Sequence, residues 1–194
     1  MAKRRRTISV RDAIRSLYID LEGPRNGSPV ILGVLYQQDF EQYVLDPDFW
    51  DAPRKETTHR EYVVVAEELI QRCKDEDRKL VAYGYRERTS FRNDLNLDIS
   101  EYYVNAHLIV KDWIKASLAT ELEGYRLRDA LKLVGYERVE EGQIQTRRLN
   151  DVRIGLRSRG PLTGTQKGKW TRLLKHNRVD CQSMRDLMLL AASR

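Results

Sequence analysis

Two carboxylates stand two residues apart at the end of an apolar run, Leu17-Tyr18-Ile19-Asp20-Leu21-Glu22-Gly23. On a β-strand, residues i and i+2 point to one face, so Asp20 and Glu22 project side by side while Leu21 turns the other way. Carboxylates held that close repel one another unless a cation sits between them, and hard oxygen donors suit Mg²⁺ or Mn²⁺. An edge strand carrying two solvated acids is the alternative. A second pair lies near the C-terminus, in His176-Asn177-Arg178-Val179-Asp180. There the imidazole and the carboxylate stand at i and i+4, on one face of a helix. Cys181, Met184, Leu187 and Leu190 supply apolar positions to dock that helix. A simple surface pair is the alternative for these two residues.

Charge is distributed unevenly. From Arg147 to Arg178 the chain carries ten Lys or Arg and one acid, Asp151, a local excess of +9 against a net +6 for all 194 residues. A basic face beside an acidic metal site is what a phosphodiester substrate requires, since Lys and Arg draw in phosphates and counterion release adds affinity. Arg157, Arg159, Lys167, Lys169, Arg172, Lys175 and Arg178 are the candidate nucleic-acid contacts. A solvated basic loop is the alternative reading.

The elements that must position these groups follow from periodicity. Ser16–Leu21, Val30–Tyr36 and Phe40–Leu45 read as strands, joined first by a turn-rich Gly23–Ser28 segment, and together predict a three-stranded antiparallel meander. Thr58 with Glu61 three residues on resembles a capping box opening a helix over Tyr62–Cys73. Lys79–Gly84 reads as a strand and Glu87–Leu95 as a short helix. Tyr102–Leu118 and Tyr125–Val134 read as helices, the latter stopped by Gly135. Residues 138–168 read as a long polar loop with a short strand near Val152–Leu156, and a last helix spans about 169–192. The predicted order is β-β-β-α-β-α-α-α-α, an α/β chain in which a right-handed crossover sets the fourth strand parallel to the first. That order is the start of the ribonuclease-H-like pattern, a mixed sheet flanked by helices.

With the elements in place, the motifs resemble those of a family. Tyr18-Ile19-Asp20-Leu21-Glu22-Gly23 is similar to the first motif of DEDD-type 3′–5′ exonucleases. His176-Asn177-Arg178-Val179-Asp180-Cys181-Gln182-Ser183-Met184 resembles their third motif, which in the tyrosine-type branch reads Tyr-x-x-x-Asp. Asn177 and the small residue after Asp180 resemble, more narrowly, the ribonuclease-H-like nucleases found alone or fused to helicases. Tyr83-Gly84-Tyr85-Arg86-Glu87-Arg88 fits the middle motif, and Leu127–Gly135 resembles the helix before the third motif. The resemblance spans roughly residues 16 to 190. Two departures stand out. The middle acid is Glu87 where the family has Asp, with Asp94, Asp98 and Asp112 as other candidates. His176 stands where the tyrosine-type branch has Tyr, whereas the histidine-type branch places its His five residues before the Asp.

The resemblance implies hydrolysis of nucleic-acid phosphodiester bonds with two Mg²⁺ or Mn²⁺ ions, as a 3′–5′ exonuclease on single-stranded DNA or RNA, with a helicase as a conceivable partner. Asp20 would bridge ions roughly 4 Å apart, and Glu22, Glu87 and Asp180 would complete their shells. His176 would deprotonate the attacking water or orient it. The rivals are a nucleic-acid-binding module of the same fold with weak or lost catalysis, and an interaction protein whose basic loop meets an acidic partner.

Other signals bound the reading. No apolar run reaches the 18 or so residues that cross a membrane. The basic N-terminal tail, residues 1–11, lacks the apolar segment of a secretory signal. Cys73 and Cys181 match no zinc or redox spacing and read as buried thiols, which with the missing signal suggests the cytoplasm. Gly164–Trp170 looks like a phosphate-binding loop but has Thr163 and Trp170 where Gly and Ser or Thr are needed. Asn26-Gly27-Ser28 reads as a turn, and His59 and His107 as packing or surface residues. The length suits one domain over 1–194.

Overall fold

A computed structural model of the chain describes residues 6–24, 27–53, 56–118, 120–136, 145–158 and 161–193. Helix α1 (Val10–Arg15), capped by the Ser9 hydroxyl, precedes β1 (Leu17–Glu22), β2 (Ile31–Tyr36) and β3 (Asp39–Val44). The three strands form the expected antiparallel meander, with Asp20 opposite Gly33 and Gly33 opposite Gln42. Part of the expected basic tail is therefore structured: Arg6 pairs with Asp112 at 3.1 Å, and Ser9 begins α1.

The two-residue strand β4 (Thr58–His59) pairs parallel to β3. Thr58 is thus not a helix cap. Its β-branched side chain suits a sheet edge, the Arg60 N–H extends the ladder to the Val44 carbonyl, and Trp50 stacks on His59 at 5.8 Å. Glu61 takes the cap position of α2 (Tyr62–Asp75) without a side-chain bond. Next, β5 (Leu80–Ala82) lies parallel beside β1, as the crossover predicts. Helix α3 (Arg86–Leu95) and strand β6 (Tyr103–Asn105) follow, β6 parallel to β5. The start of the expected 102–118 helix is therefore a strand. Asn105 ends it by accepting the Leu108 N–H, which opens α4 (Ala106–Ser117). The result is a mixed six-stranded sheet in the order β4-β3-β2-β1-β5-β6, flanked by helices.

Helix α5 (Leu127–Leu133) ends before Gly135, whose φ of +76° is the left-handed stop read from sequence. The expected loop over 138–168 is largely a helix, α6 (Gln145–Arg157), while 137–144 and 159–160 lie outside the described residues. Leu149, Val152 and Leu156 fall at i, i+3 and i+7 and pack with Phe49, Trp170 and Leu173. Gly155 sits inside this helix because the Gln166 side chain fills its flank: a Cβ there would lie 2.6 Å from Gln166 Cδ. Helix α7 (Gly164–Ala192) begins five residues earlier than read, at a Thr163–Gln166 capping box. The loop-like glycines at 164 and 168 belong to its first turns.

Strict alternation in β1 divides the core. Tyr18 joins Leu35, Val81 and the α7 residues Cys181, Met184, Leu187 and Met188 on one face of the sheet. Leu17, Ile19 and Leu21 join Leu32, Val34, Leu69 and Phe91 on the other. Each buried aliphatic side chain contributes about 1.5–3 kcal/mol, so a one-residue slip of β1 is prohibitive. That register aims Asp20 and Glu22 at α7. Among the described residues, no helix is long and apolar enough to cross a membrane.

Candidate metal centre

Pairing of β1 with β5 ends at Tyr18 opposite Val81. Beyond it, the last residues of β1 have β2 on one side and the first turn of α3 on the other. Glu22 is buried at 6% exposure, and Glu87, in that first turn, is equally buried. From α7, His176 brings its Nε2 to 3.6 Å from Glu22 Oε1 and 3.4 Å from Asp180 Oδ2. The i, i+4 spacing does what the sequence implies. One donor atom each from Glu22, His176 and Asp180 lies within 4.8 Å of the others.

Asp20 is held from behind. Asn177 Nδ2 donates to both the Asp20 carbonyl and Asp20 Oδ2, each at 2.8 Å. Gln42 Nε2 in turn donates to Asn177 Oδ1 at 2.7 Å and to the Leu174 carbonyl at 3.0 Å. This relay crosses from β3 through α7 to β1 and fixes the position of one carboxylate oxygen. It needs Gly33. A Cβ on Gly33 would collide with the Asn177 carboxamide, standing 2.9 Å from its Cγ. A glycine inside an apolar strand signals such a close approach of another group.

The electrostatics of the cluster are strained. Burial raises the Asp20 carboxyl, opposed by the Asn177 hydrogen bond and by the charges of His176 and Arg86. Burial, then the charges of Asp20 and Asp180, push Glu22 well above the usual carboxylate range, with Arg86 opposing. Glu87 is pushed up to about 7, first by burial and next by Asp20, against the Leu21 backbone N–H and Arg86. Several acids crowded out of water each disfavour ionisation of the others, and a cation reverses that.

The donor set could hold a metal ion. Glu22, His176 and Asp180 offer two carboxylates and one imidazole, a mixed oxygen and nitrogen set. Donors around one ion stand about 3 Å apart, so closure on a metal needs only small side-chain rotations. The grouping differs from the expected ligand set: Asp20 and Glu87 fall outside the grouping, and His176 joins it. His176 stands among the donors rather than apart from them, because its Nε2 lies between two carboxylates. Of the other middle-motif candidates, Asp94 and Asp98 are exposed and bound to Ser90 and Ser100, and Asp112 pairs with Arg6. Glu87 is the acid beside Asp20.

The basic candidates divide into two groups. Arg157 pairs with Asp48 at 2.7 Å, Lys169 with Asp151 at 2.5 Å, and Arg178 with Glu56 at 2.9 Å, Arg178 also lying over the Phe40 ring. Arg153, also in the basic segment, pairs with Asp46 at 2.7 Å. These acids come mostly from residues 46–56, so much of the local excess is neutralised in the fold. Lys167, Arg172 and Lys175 are exposed, and Lys167 and Arg172 have no ion pair among the described residues. Arg159 lies outside the described residues. Arg172 stands one helical turn before His176, on the ridge that continues to Asp180.

Sequence reasoning gave no role to Asn177, Gln42, Gly33 or Arg86. Gly33 was the readable signal, a glycine in Ile31-Leu32-Gly33-Val34-Leu35. Gln42 gave none, since a polar residue on a weakly alternating strand reads as solvent-facing. Both free cysteines are buried, Cys73 pushed up to about 11 by burial and Cys181 raised well above the usual thiol range, so neither is poised to react. Compared with protein-family models, with curated proteins and with solved structures, the chain finds no match in any of the three.

Proposed function

We propose that this chain is a metal-dependent nuclease that hydrolyses phosphodiester bonds of single-stranded nucleic acid, with a ribonuclease-H-like fold. The observation that carries the reading is the convergence of Glu22, His176 and Asp180 from β1 and α7, with the half-buried Asp20 and the buried Glu87 alongside. Five protonatable groups gathered in one poorly hydrated place destabilise the fold unless they serve a cation. The strand order β3-β2-β1-β5-β6, antiparallel and then parallel, supports the fold assignment.

In this reading, Glu22, His176 and Asp180 would hold one divalent ion, and Asp20 and Glu87 would offer oxygens to a second. Bound Mn²⁺ or Mg²⁺ would lower the pKa of water and neutralise charge on the phosphate. Asn177 keeps Asp20 from rotating away. With its Nε2 between Glu22 and Asp180, His176 would bind the first ion and hold it against the two carboxylates. Lys167, Arg172 and Lys175 lie along the approach to the site on α7 and would contact the backbone of the strand. Buried, unreactive cysteines suit a cytoplasmic setting.

The test is degradation of 5′-labelled single-stranded DNA and RNA across a Mn²⁺ and Mg²⁺ titration, with Asp180→Asn as the control. Metal-dependent shortening that Asp180→Asn abolishes supports the reading, and a one-nucleotide ladder marks 3′–5′ exonuclease action. Equal activity in wild type and variant, or none in either while Mn²⁺ does not bind, rejects it.

A further inference from the structure

Arg86 opens α3 directly before Glu87, and its side chain is exposed. Its Nη2 donates to the Gly23 carbonyl at 3.0 Å and the Pro24 carbonyl at 3.3 Å. These bonds tie the start of α3 to the segment leaving β1, next to Glu22. The approach is tight: a Cβ on Gly23 would lie 3.0 Å from Pro29 Cα and 3.3 Å from Arg86 Nη2. Only one of the three guanidinium nitrogens is committed. Nε and Nη1 make no hydrogen bond among the described residues. The charge of Arg86 bears on Asp20, Glu22 and Glu87 together, favouring the ionised form of each.

A fixed cation beside a cation-binding cluster works against metal binding, because like charges repel. Clamping the chain after β1 does not require a guanidinium. What does require one is a planar, two-pronged contact with an anion that is itself attracted to the bound metal. We infer that Arg86 is a phosphate-binding residue: its uncommitted N–H groups contact a non-bridging oxygen of the nucleotide phosphate held at the Glu22–His176–Asp180 cluster. The inference rests on the metal-dependent phosphodiester reading above and adds the group that receives the phosphate from the α3 side. Arg172 and Lys167 would then meet neighbouring phosphates from the α7 side, with the reacting phosphate between the two helices.

The alternative is a structural clamp that merely offsets carboxylate repulsion. The two differ in what they predict for metal and for nucleotide. Mn²⁺ affinity, and adenosine 5′-monophosphate affinity at saturating Mn²⁺, are measured for wild type, Arg86→Lys and Arg86→Gln by titration calorimetry. For Arg86→Gln, Mn²⁺ affinity is expected to hold or rise by up to about tenfold, while nucleotide affinity falls about tenfold or more. Arg86→Lys keeps the charge without the fork and is expected to lie between. Should Arg86→Gln fail to fold, the Lys variant decides, since a clamp that keeps its charge leaves nucleotide affinity unchanged. Nucleotide affinity equal to wild type in the folded variants overturns this inference alone. Failure of wild type to bind Mn²⁺ overturns the metal reading, and this inference with it.

Discussion

The surface around α6 and the buried end of β1 against α7 treat charge in opposite ways. Along α6 and at the start of α7, cations meet acids in pairs, Arg153 with Asp46, Arg157 with Asp48 and Lys169 with Asp151, all at or near the surface. Around His176 and Asp180, carboxylates meet carboxylates in a buried place, and the cation bearing on them from the neighbouring helix is Arg86. Matched surface pairs contribute little to stability and need no further explanation. Unmatched buried acids cost stability, and a bound cation would offset that cost. The contrast separates residues that keep the surface polar from residues grouped as the ligands of a metal ion could be.

The largest effects are expected where the mismatch is greatest. Glu22→Gln should leave the metal-free protein as stable or more stable, because it removes one of several repelling charges. It should also abolish the rise in Tm that Mn²⁺ gives wild type. That rise corresponds to about 2.7 kcal/mol at a hundredfold excess over Kd. Hydrolysis should drop by more than the 10- to 100-fold typical of losing an outer partner of a metal ligand. Scanning fluorimetry with and without Mn²⁺ checks the first two, and a labelled oligonucleotide the third. A variant that melts lower without metal, yet still gains from Mn²⁺, would move the site elsewhere and erase the contrast.

Next in size is the pH dependence of the metal-free protein. Glu87, pushed up to about 7 by burial and by Asp20, binds its proton more tightly in the folded than in the unfolded chain. Its stabilisation is therefore full below the unfolded value near 4.3 and lost as pH rises through 7, amounting to about 4 kcal/mol at most. Tm measured in chelator should fall between pH 5 and 7.5. Glu87→Gln should flatten that fall, and Mn²⁺ should oppose it by favouring the ionised carboxylates. The opposite slope would show that Glu87 is ionised and satisfied in the free protein, like the surface acids.

Smaller, but more specific, is the effect of adding a methyl group at Gly33. Its Cβ would strike the Asn177 carboxamide, so Gly33→Ala must displace either β2 or the relay that holds Asp20. Overpacking of this kind costs about 1–3 kcal/mol. Asn177→Ala removes the obstacle, and the double variant should lose less than the sum of the single losses, by at least about 0.5 kcal/mol in urea melts. Strict additivity would mean that the strand and helix do not share this contact.

The same division governs what was legible in the chain. The carboxylates of β1 were readable because strand period and apolar content fix one face, and His176 with Asp180 because helical period does. The meander and the parallel β5 were readable for the same reason. Helix α6 was not. Gly155 and a charged, polar composition resemble a loop until Phe49 and Trp170, far away in sequence, supply the surface that buries Leu149 and Val152. Thr58 failed as a cap because strand pairing with β3 outweighs a local hydrogen-bond pattern. The neutralisation of the basic segment was hidden too. A count of charges cannot show that Asp46, Asp48 and Glu56 fold back onto it. Asn177 and Gln42 serve the site only through contacts across three elements, which no local spacing encodes.

The smallest expected effect tests the quiet half of the comparison. Arg157 is 68% exposed and Asp48 41%, so their pair at 2.7 Å is screened by water and contributes well under about 1 kcal/mol. Arg157→Ala should barely change Tm. Its effect on oligonucleotide binding should also be slight, because Asp48 already occupies the guanidinium. Arg172→Ala should do more: an exposed arginine without an ion pair among the described residues is available to a phosphate, and losing one phosphate contact lowers the salt slope of binding by about 1. Asp48→Asn sharpens the point further. Freeing Arg157 and Arg153 from one shared acid should strengthen binding modestly and steepen its salt dependence. Filter binding of a single-stranded oligonucleotide from 50 to 300 mM salt ranks the three variants. Should Arg157→Ala weaken binding as much as Arg172→Ala, the surface pairs open to receive nucleic acid. Helix α6 would then be part of the binding face, and not merely its polar flank.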